Sequence, residues 1–168
     1  MAETAREALT LDRVVFIPAH QPPHKRVPRL LAGDVRLELV RLAIRDNPSF
    51  VASDIELQRQ DVSYSLATVR SLHQQLPEAK LFLLLGQDML SVRWMGWDEI
   101  TRLCSVIVAR RPGARSTRQA RGLRWLDMPQ VDIASSDIRR RLAAGRSIRY
   151  LVPSAVERYL QQHRVYAR

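Results

Sequence analysis

The sequence predicts an α/β fold, a Rossmann-like, doubly wound and mainly parallel sheet, and two observations carry that prediction. Residues 81–85 read Leu-Phe-Leu-Leu-Leu and are closed by Gly86. Five consecutive apolar residues, too few for a helix, suit a strand covered on both faces, as in the middle of a parallel sheet. Short β-branched or apolar runs also alternate along the chain with segments of helical apolar spacing, the order that builds βαβ units with right-handed crossovers. With no internal repeat, low-complexity tract or linker, residues 1–168 read as one domain.

Taken in order, residues 2–11 have Ala2, Ala5 and Leu9 on one helical face. Residues 14–17 form a short β-branched strand that Pro18 closes. Pro22, Pro23 and Pro28 mark a loop carrying His20, His24, Lys25 and Arg26. Asp34 is placed to cap a helix over 35–46, whose Val35, Leu39, Leu42 and Ala43 share a face, and Asn47-Pro48 stops it. Residues 50–52 predict a second strand, with 55–57 its extension. Ser63-Tyr64-Ser65 opens a helix striped by Leu66, Val69, Leu72 and Leu76, and the strand at 81 follows. Beyond Asp88 an irregular stretch holds Trp94, Met95, Gly96 and Trp97, then a short helix spans 98–103. Residues 105–109 are a further buried strand. Residues 114–122 are arginine-rich and predict an exposed loop or short helix. Residues 123–128 predict a last strand, Ser135 or Ser136 caps a helix ended by Gly145, and Pro153 begins the final helix.

Composition bounds the function. One cysteine, Cys104, cannot form an internal disulfide, which suits a reducing, cytoplasmic setting. No apolar run reaches the length of a membrane span, and residues 1–12 lack the pattern of a signal peptide. The 27 Lys and Arg against 17 Asp and Glu give a net charge of +10, which suits anionic partners such as nucleotides. Aromatic residues do not interleave with the basic ones, so a stacking platform for single-stranded nucleic acid is not indicated.

Three stretches fall at strand ends or helix starts, the edge where open α/β sheets bind ligands. At the Gly86-Gln87-Asp88 turn a glycine lets a ligand approach the backbone, and Asp88 can accept hydrogen bonds from a sugar; the same residues also suit an ordinary strand-to-helix turn. In Ile133-Ala134-Ser135-Ser136-Asp137-Ile138-Arg139, hydroxyls, free amides and a forked donor meet at a helix start, a combination that binds phosphate. The 22–25 loop, with imidazole and ammonium groups, is the third.

Together with Val15-Phe16-Ile17-Pro18, Arg110-Arg111-Pro112-Gly113 and the tail from Gly145 to Pro153, these stretches resemble, in order and spacing, the bacterial nicotinate-nucleotide adenylyltransferases of the nucleotidyltransferase superfamily. The resemblance spans essentially the whole chain and implies a single nucleotidyltransferase domain. It also implies a reaction: the phosphate of nicotinate mononucleotide attacks the α-phosphate of ATP, giving deamido-NAD and pyrophosphate in NAD biosynthesis, usually with Mg2+. Carried over by position, Gly86 and Asp88 meet the adenosine, and Ser135, Ser136 and Arg139 hold the ATP phosphates, Ser136 and Arg139 at the reacting centre. On the acceptor side stand Pro23, His24, Lys25, Ser63, Tyr64 and Ser65, with Trp97 stacked on the pyridine ring and Trp94 as the alternative. The resemblance assigns the protein itself no metal ligands and leaves room for a homo-oligomer. Competing readings are a related adenylyltransferase acting on phosphopantetheine or nicotinamide mononucleotide, and a non-catalytic nucleotide-binding or basic nucleic-acid-binding protein.

The chain departs from the family at several places. The first strand and its His-x-Gly-His turn are missing, and the helix that follows them in the family corresponds to residues 2–9. The expectation is a start at an internal methionine, with the 168 residues alone having little transferase activity and reduced stability, because the sheet loses an interior strand. Ala134 stands where the family has serine, and Ser65 and Ser136 where it has threonine. Gly96 occupies the usual tryptophan position.

Overall fold

A computed structural model describes residues 1–23, 30–59, 61–110 and 123–166. Two stretches of the sequence reading, the 24–29 part of the proline loop with His24 and Lys25, and the arginine-rich 111–122, lie outside them.

The chain runs α1 (Ala2–Leu9), β1 (Val14–Phe16), α2 (Gly33–Ile44), β2 (Phe50–Ala52), α3 (Ile55–Arg59), α4 (Ser65–Gln75), β3 (Phe82–Gly86), a 3₁₀ turn (Gln87–Ser91), α5 (Trp97–Leu103), β4 (Ser105–Ala109), β5 (Arg124–Leu126), α6 (Ser135–Ala143) and α7 (Ser154–Gln162). Every strand pair is parallel. The strands form two ladders, β1-β2 and β3-β4-β5, and no ladder joins β1 to β3 among the described residues. β1 and β2 align Val14 with Phe50 and Phe16 with Ala52, and the Phe16 and Phe50 rings pack at 5.2 Å. β3 and β4 pair over five residues, from Phe82 with Ser105 to Gly86 with Ala109.

The three-stranded ladder is covered on both faces, which is why 81–85 and 105–109 read as unbroken apolar runs. Side chains alternate across a strand. In β4, Ile107 faces Ala5 and Leu9 of α1, whereas Val106 and Val108 face Val69 of α4 and Ile100 and Cys104 of α5. Val106, Ile107 and Val108 are at most 2% exposed, so each contributes roughly 1.5–3 kcal/mol of apolar burial. A third cluster, Ile138, Ile148, Val156 and Leu160 with Leu39 and Leu42, joins α2, α6 and α7.

The structure corrects three local expectations. Residues 55–57 belong to helix α3 and do not extend β2. Ser53 and Asp54 explain it: the Ser53 hydroxyl accepts the Ile55 N–H and the Asp54 carbonyl accepts that of Gln58, a helix start that period-two reading overlooks. At α6 the N-cap is Ala134, so Ser135 and Ser136 occupy the first turn and no side chain caps the helix. Asp34 likewise lies inside α2, whose N-cap is Ala32, and its carboxylate accepts the Val35 N–H. Gly145, at φ 64°, closes α6 as expected.

Candidate active site

Within the β3-β4-β5 ladder the loops that leave β3 and β5 emerge at one edge, and the loop after β1 meets the segment after β3 around a shared cavity. The loop after β1 is tied to the start of α4: the His20 N–H donates to the Ser63 hydroxyl at 2.8 Å, the Ser63 N–H donates to the Gln21 carbonyl at 2.9 Å, and Gln21 and Val62 form a parallel bridge. The segment after β3 closes the other side. A cavity of about 280 Å³ opens between them, lined by Ala19, Pro22, Pro23, Ser63, Tyr64, Ser65, Met89, Val92, Trp94 and Met95. Its walls are mainly apolar with a few polar groups, the usual character of a small-molecule site. Its size suits one mononucleotide-sized group.

The cavity gathers Pro23, Ser63, Tyr64 and Ser65, all singled out in sequence, together with Trp94, the alternative to Trp97. The Trp94 indole N–H donates to the Met89 carbonyl at 2.8 Å, which fixes its ring in the wall. Trp97 is not among the lining residues. It is the first residue of α5 and packs behind Trp94, ring centroids 5.4 Å apart and tilted by 60°. Gly96, between them, has φ 65°, and a Cβ there would meet Leu66 Cδ2 at 2.4 Å. A side chain at 96 would be strained and would have to displace Leu66, and the indole that lines the cavity comes from position 94. Met89, Val92, Met95 and Ala19 were not legible as lining residues, since nothing in an irregular stretch signals direction.

The second group lies at the same edge. Gly86 ends β3 with an extended φ of −74°, so backbone freedom is not what the position requires. The exposed Asp88 carboxylate folds back over it: a Cβ on residue 86 would lie 2.6 Å from Asp88 Oδ1. The absence of a side chain at 86 is what leaves room for that carboxylate. Ser135 and Ser136 are exposed in the first turn of α6, and Arg139, one turn on, is half-buried. Arg139 has no ion-pair partner among the described residues. No described contact joins Asp88 to Ser135, Ser136 or Arg139; what the topology shows is that β3 and β5, the strands that precede the two groups, run parallel in one ladder.

A larger opening of about 490 Å³ flanks α6 and is lined by Asp132, Asp137, Arg140, Arg141 and Arg146 among others. Two of its guanidinium groups are already engaged, Arg140 by Asp137 and Arg141 by the Ser147 carbonyl. It touches Ile133, Asp137 and Ile138 of the 133–139 stretch but none of Gly86, Asp88, Ser135, Ser136 or Arg139, so size alone does not make it the site. Among the described residues, no group of three or more His, Cys, Asp or Glu is placed to hold a metal ion. No helix is long and apolar enough to cross a membrane.

Comparison with known proteins places this arrangement. The model of the cytidylyltransferase-like family matches residues 1–141, and the chain belongs to that family of nucleotidyltransferases. Within it, the chain falls among the nicotinate-nucleotide adenylyltransferases. The probable enzyme of that name from Citrifermentans bemidjiense is 40% identical over 193 residues, covering 99% of this chain and 89% of its own. The one from Exiguobacterium sibiricum is 42% identical over 171 residues with the same coverage. The fold agrees with a solved structure assigned as a nicotinate-nucleotide adenylyltransferase from Vibrio parahaemolyticus, at a TM-score of 0.70 and 20% identity over 98% of this chain and 85% of that one. It also agrees with the nicotinic acid mononucleotide adenylyltransferase of Plasmodium falciparum complexed with APC, at a TM-score of 0.69 and 10% identity over 98% and 88%.

Proposed function

We propose that the protein transfers the adenylyl group of ATP to nicotinate mononucleotide, producing deamido-NAD and pyrophosphate. The observation that carries the reading is the joining of Pro23, Ser63, Tyr64, Ser65 and Trp94 around one cavity, in a chain about 40% identical to enzymes named for this reaction. The pyridine ring stacks on Trp94, and the Ser63 to Ser65 turn supplies polar contacts to the nicotinate part. ATP lies along the neighbouring strand ends, its ribose hydroxyls donating to Asp88 and its phosphates over Ser135, Ser136 and Arg139. A phosphate oxygen of the mononucleotide attacks the α-phosphorus, the bond from that phosphorus to the bridging oxygen breaks, and pyrophosphate departs with the electron pair. The protein's task is alignment and neutralisation of charge on the transferring group, with Arg139 as forked donor and the α6 amides beside it.

The described residues present no carboxylate cluster suited to a resident metal. Mg2+, if it accompanies ATP, would offset charge on the phosphates, with Asp88 and Asp137 the carboxylates near the proposed phosphate and ribose contacts. No His-x-Gly-His sequence occurs in the 168 residues, so the test reads binding and product together. ATP labelled on the α-phosphate is mixed with the protein and, in turn, nicotinate mononucleotide, nicotinamide mononucleotide and phosphopantetheine, and bound ligand and labelled product are both measured. Selective binding of nicotinate mononucleotide, with deamido-NAD as the labelled product of any turnover, is expected. Preference for phosphopantetheine would assign the cavity to another acceptor, and ATP-independent binding of DNA or RNA with steep salt dependence would replace the enzyme reading.

A further inference from the structure

We infer that Arg36 is a positioning residue for the acceptor cavity: without touching the ligand, it fixes the cavity wall from behind and sets affinity for the mononucleotide. The inference rests on the function proposed above. Arg36 stands in the first turn of α2 and is half-buried. Its guanidinium donates to three backbone carbonyls from two separate stretches: Leu31 at 3.0 Å, Ala19, and His20 at 3.4 Å. No carboxylate pairs with it among the described residues, and burial pulls its pKa below the usual arginine value. Holding a cation in that position is costly unless its donors are satisfied.

Two of the three carbonyls, those of Ala19 and His20, belong to the loop after β1 that forms part of the cavity wall, and the third, that of Leu31, ties this loop to the start of α2. Ala19 lines the cavity, as do Pro22 and Pro23 a few residues on. His20, whose carbonyl faces Arg36, turns its N–H to the hydroxyl of Ser63, another lining residue. The Arg36 guanidinium and the Ser63 hydroxyl thus hold the same short loop at adjacent backbone groups. Five donors in a rigid fork can reach separate acceptors at once, which a lysine ammonium on a flexible stem cannot do in the same geometry. Proline-rich chain has few backbone N–H groups for holding itself in place, so an external clamp is needed.

The test uses the full chain with Arg36→Lys and Arg36→Gln, and Arg41→Gln as control, because Arg41 is an exposed residue of the same helix. Calorimetric titrations with nicotinate mononucleotide and, separately, ATP are combined with native-state hydrogen exchange at the His20 and Ser63 amides. Arg36→Gln is expected to weaken mononucleotide binding at least tenfold and ATP binding less than twofold. Arg36→Lys falls between, and both variants speed exchange at the two amides. Arg41→Gln changes none of these. Should Arg36→Gln fail to fold, the ligand-selective loss in Arg36→Lys decides alone. Mononucleotide affinity within twofold of the parent, or an equal loss for both ligands, overturns the inference. If the parent protein does not bind the mononucleotide while exchange still quickens, the acceptor reading fails and the clamp is structural only.

Discussion

Gly96→Ala tests how tightly the cavity's outer wall is specified. Gly96 is the N-cap of α5 with φ 65°, and the methyl of alanine would sit 2.4 Å from Leu66 Cδ2 and 3.4 Å from its Cγ. Two costs follow. The left-handed conformation costs an L-residue about 1–2 kcal/mol, and relieving the contact by shifting Leu66 or the backbone adds about 1–3 kcal/mol of overpacking. The sum, about 2–5 kcal/mol, lowers Tm by roughly 4–20 °C in a domain of this size. Urea unfolding at constant m-value measures it. The two parts separate in a double-mutant cycle: in a Leu66→Ala background the contact disappears, so Gly96→Ala becomes cheaper by about 1–3 kcal/mol while the backbone part remains. A single-variant change below about 0.5 kcal/mol, typical of an unremarkable surface position, would refute the strain argument. Equal costs in both backgrounds would refute the Leu66 contact.

Other consequences are as direct. Cys104 is 7% exposed, and burial pushes its thiol up to about 11 from an ordinary 9.0; the folded protein therefore resists alkylation until denaturant is added. Since the unfolded thiol ionises first, this group's contribution to stability falls as pH rises from about 9 to 11, and unfolding measured across that range should lose the slope in Cys104→Ala. Thr68 receives a hydrogen bond from Arg59 at 2.7 Å and donates to the buried Glu56 carboxylate at 2.6 Å. Thr68→Val leaves both ions without that hydroxyl and is expected to cost about 1.5–3 kcal/mol in urea unfolding; a neutral result would make the network incidental. Arg139→Gln removes the forked donor proposed for the ATP phosphates and should weaken ATP binding about 10- to 100-fold by the same range of hydrogen-bond energies, leaving mononucleotide binding unchanged in calorimetry.

Much of the fold was legible because the sheet is covered twice. An unbroken run such as 105–109 has one economical explanation, and β4 occupies those residues. Helix stripes were equally clear, down to Leu66 and Val69 in α4. Residues 55–57 were misread because three residues, Ile-Glu-Leu, satisfy an alternating pattern as well as a helical one, and the deciding bonds come from Ser53 and Asp54 outside the run. At the candidate site, the residues with distinctive chemistry, Ser63 to Ser65 and Pro23, were found in sequence. The direction of the indoles was not: it depends on Gly96 taking a left-handed turn, which places Trp97 on a helix and leaves Trp94 at the cavity. Arg36 gave no signal at all, since its partners are backbone carbonyls and those have no sequence signature.

The claim that the cavity between the loops after β1 and β3 receives the nicotinate nucleotide is tested most directly by the emission of Trp94, recorded in a Trp97→Phe/Trp125→Phe background where it is the single remaining indole. Titration with nicotinate mononucleotide should quench it saturably, as a stacked pyridine ring does, and ATP should leave it nearly unchanged. Emission that ignores the mononucleotide while calorimetry records its binding would place the acceptor elsewhere and contradict the assignment.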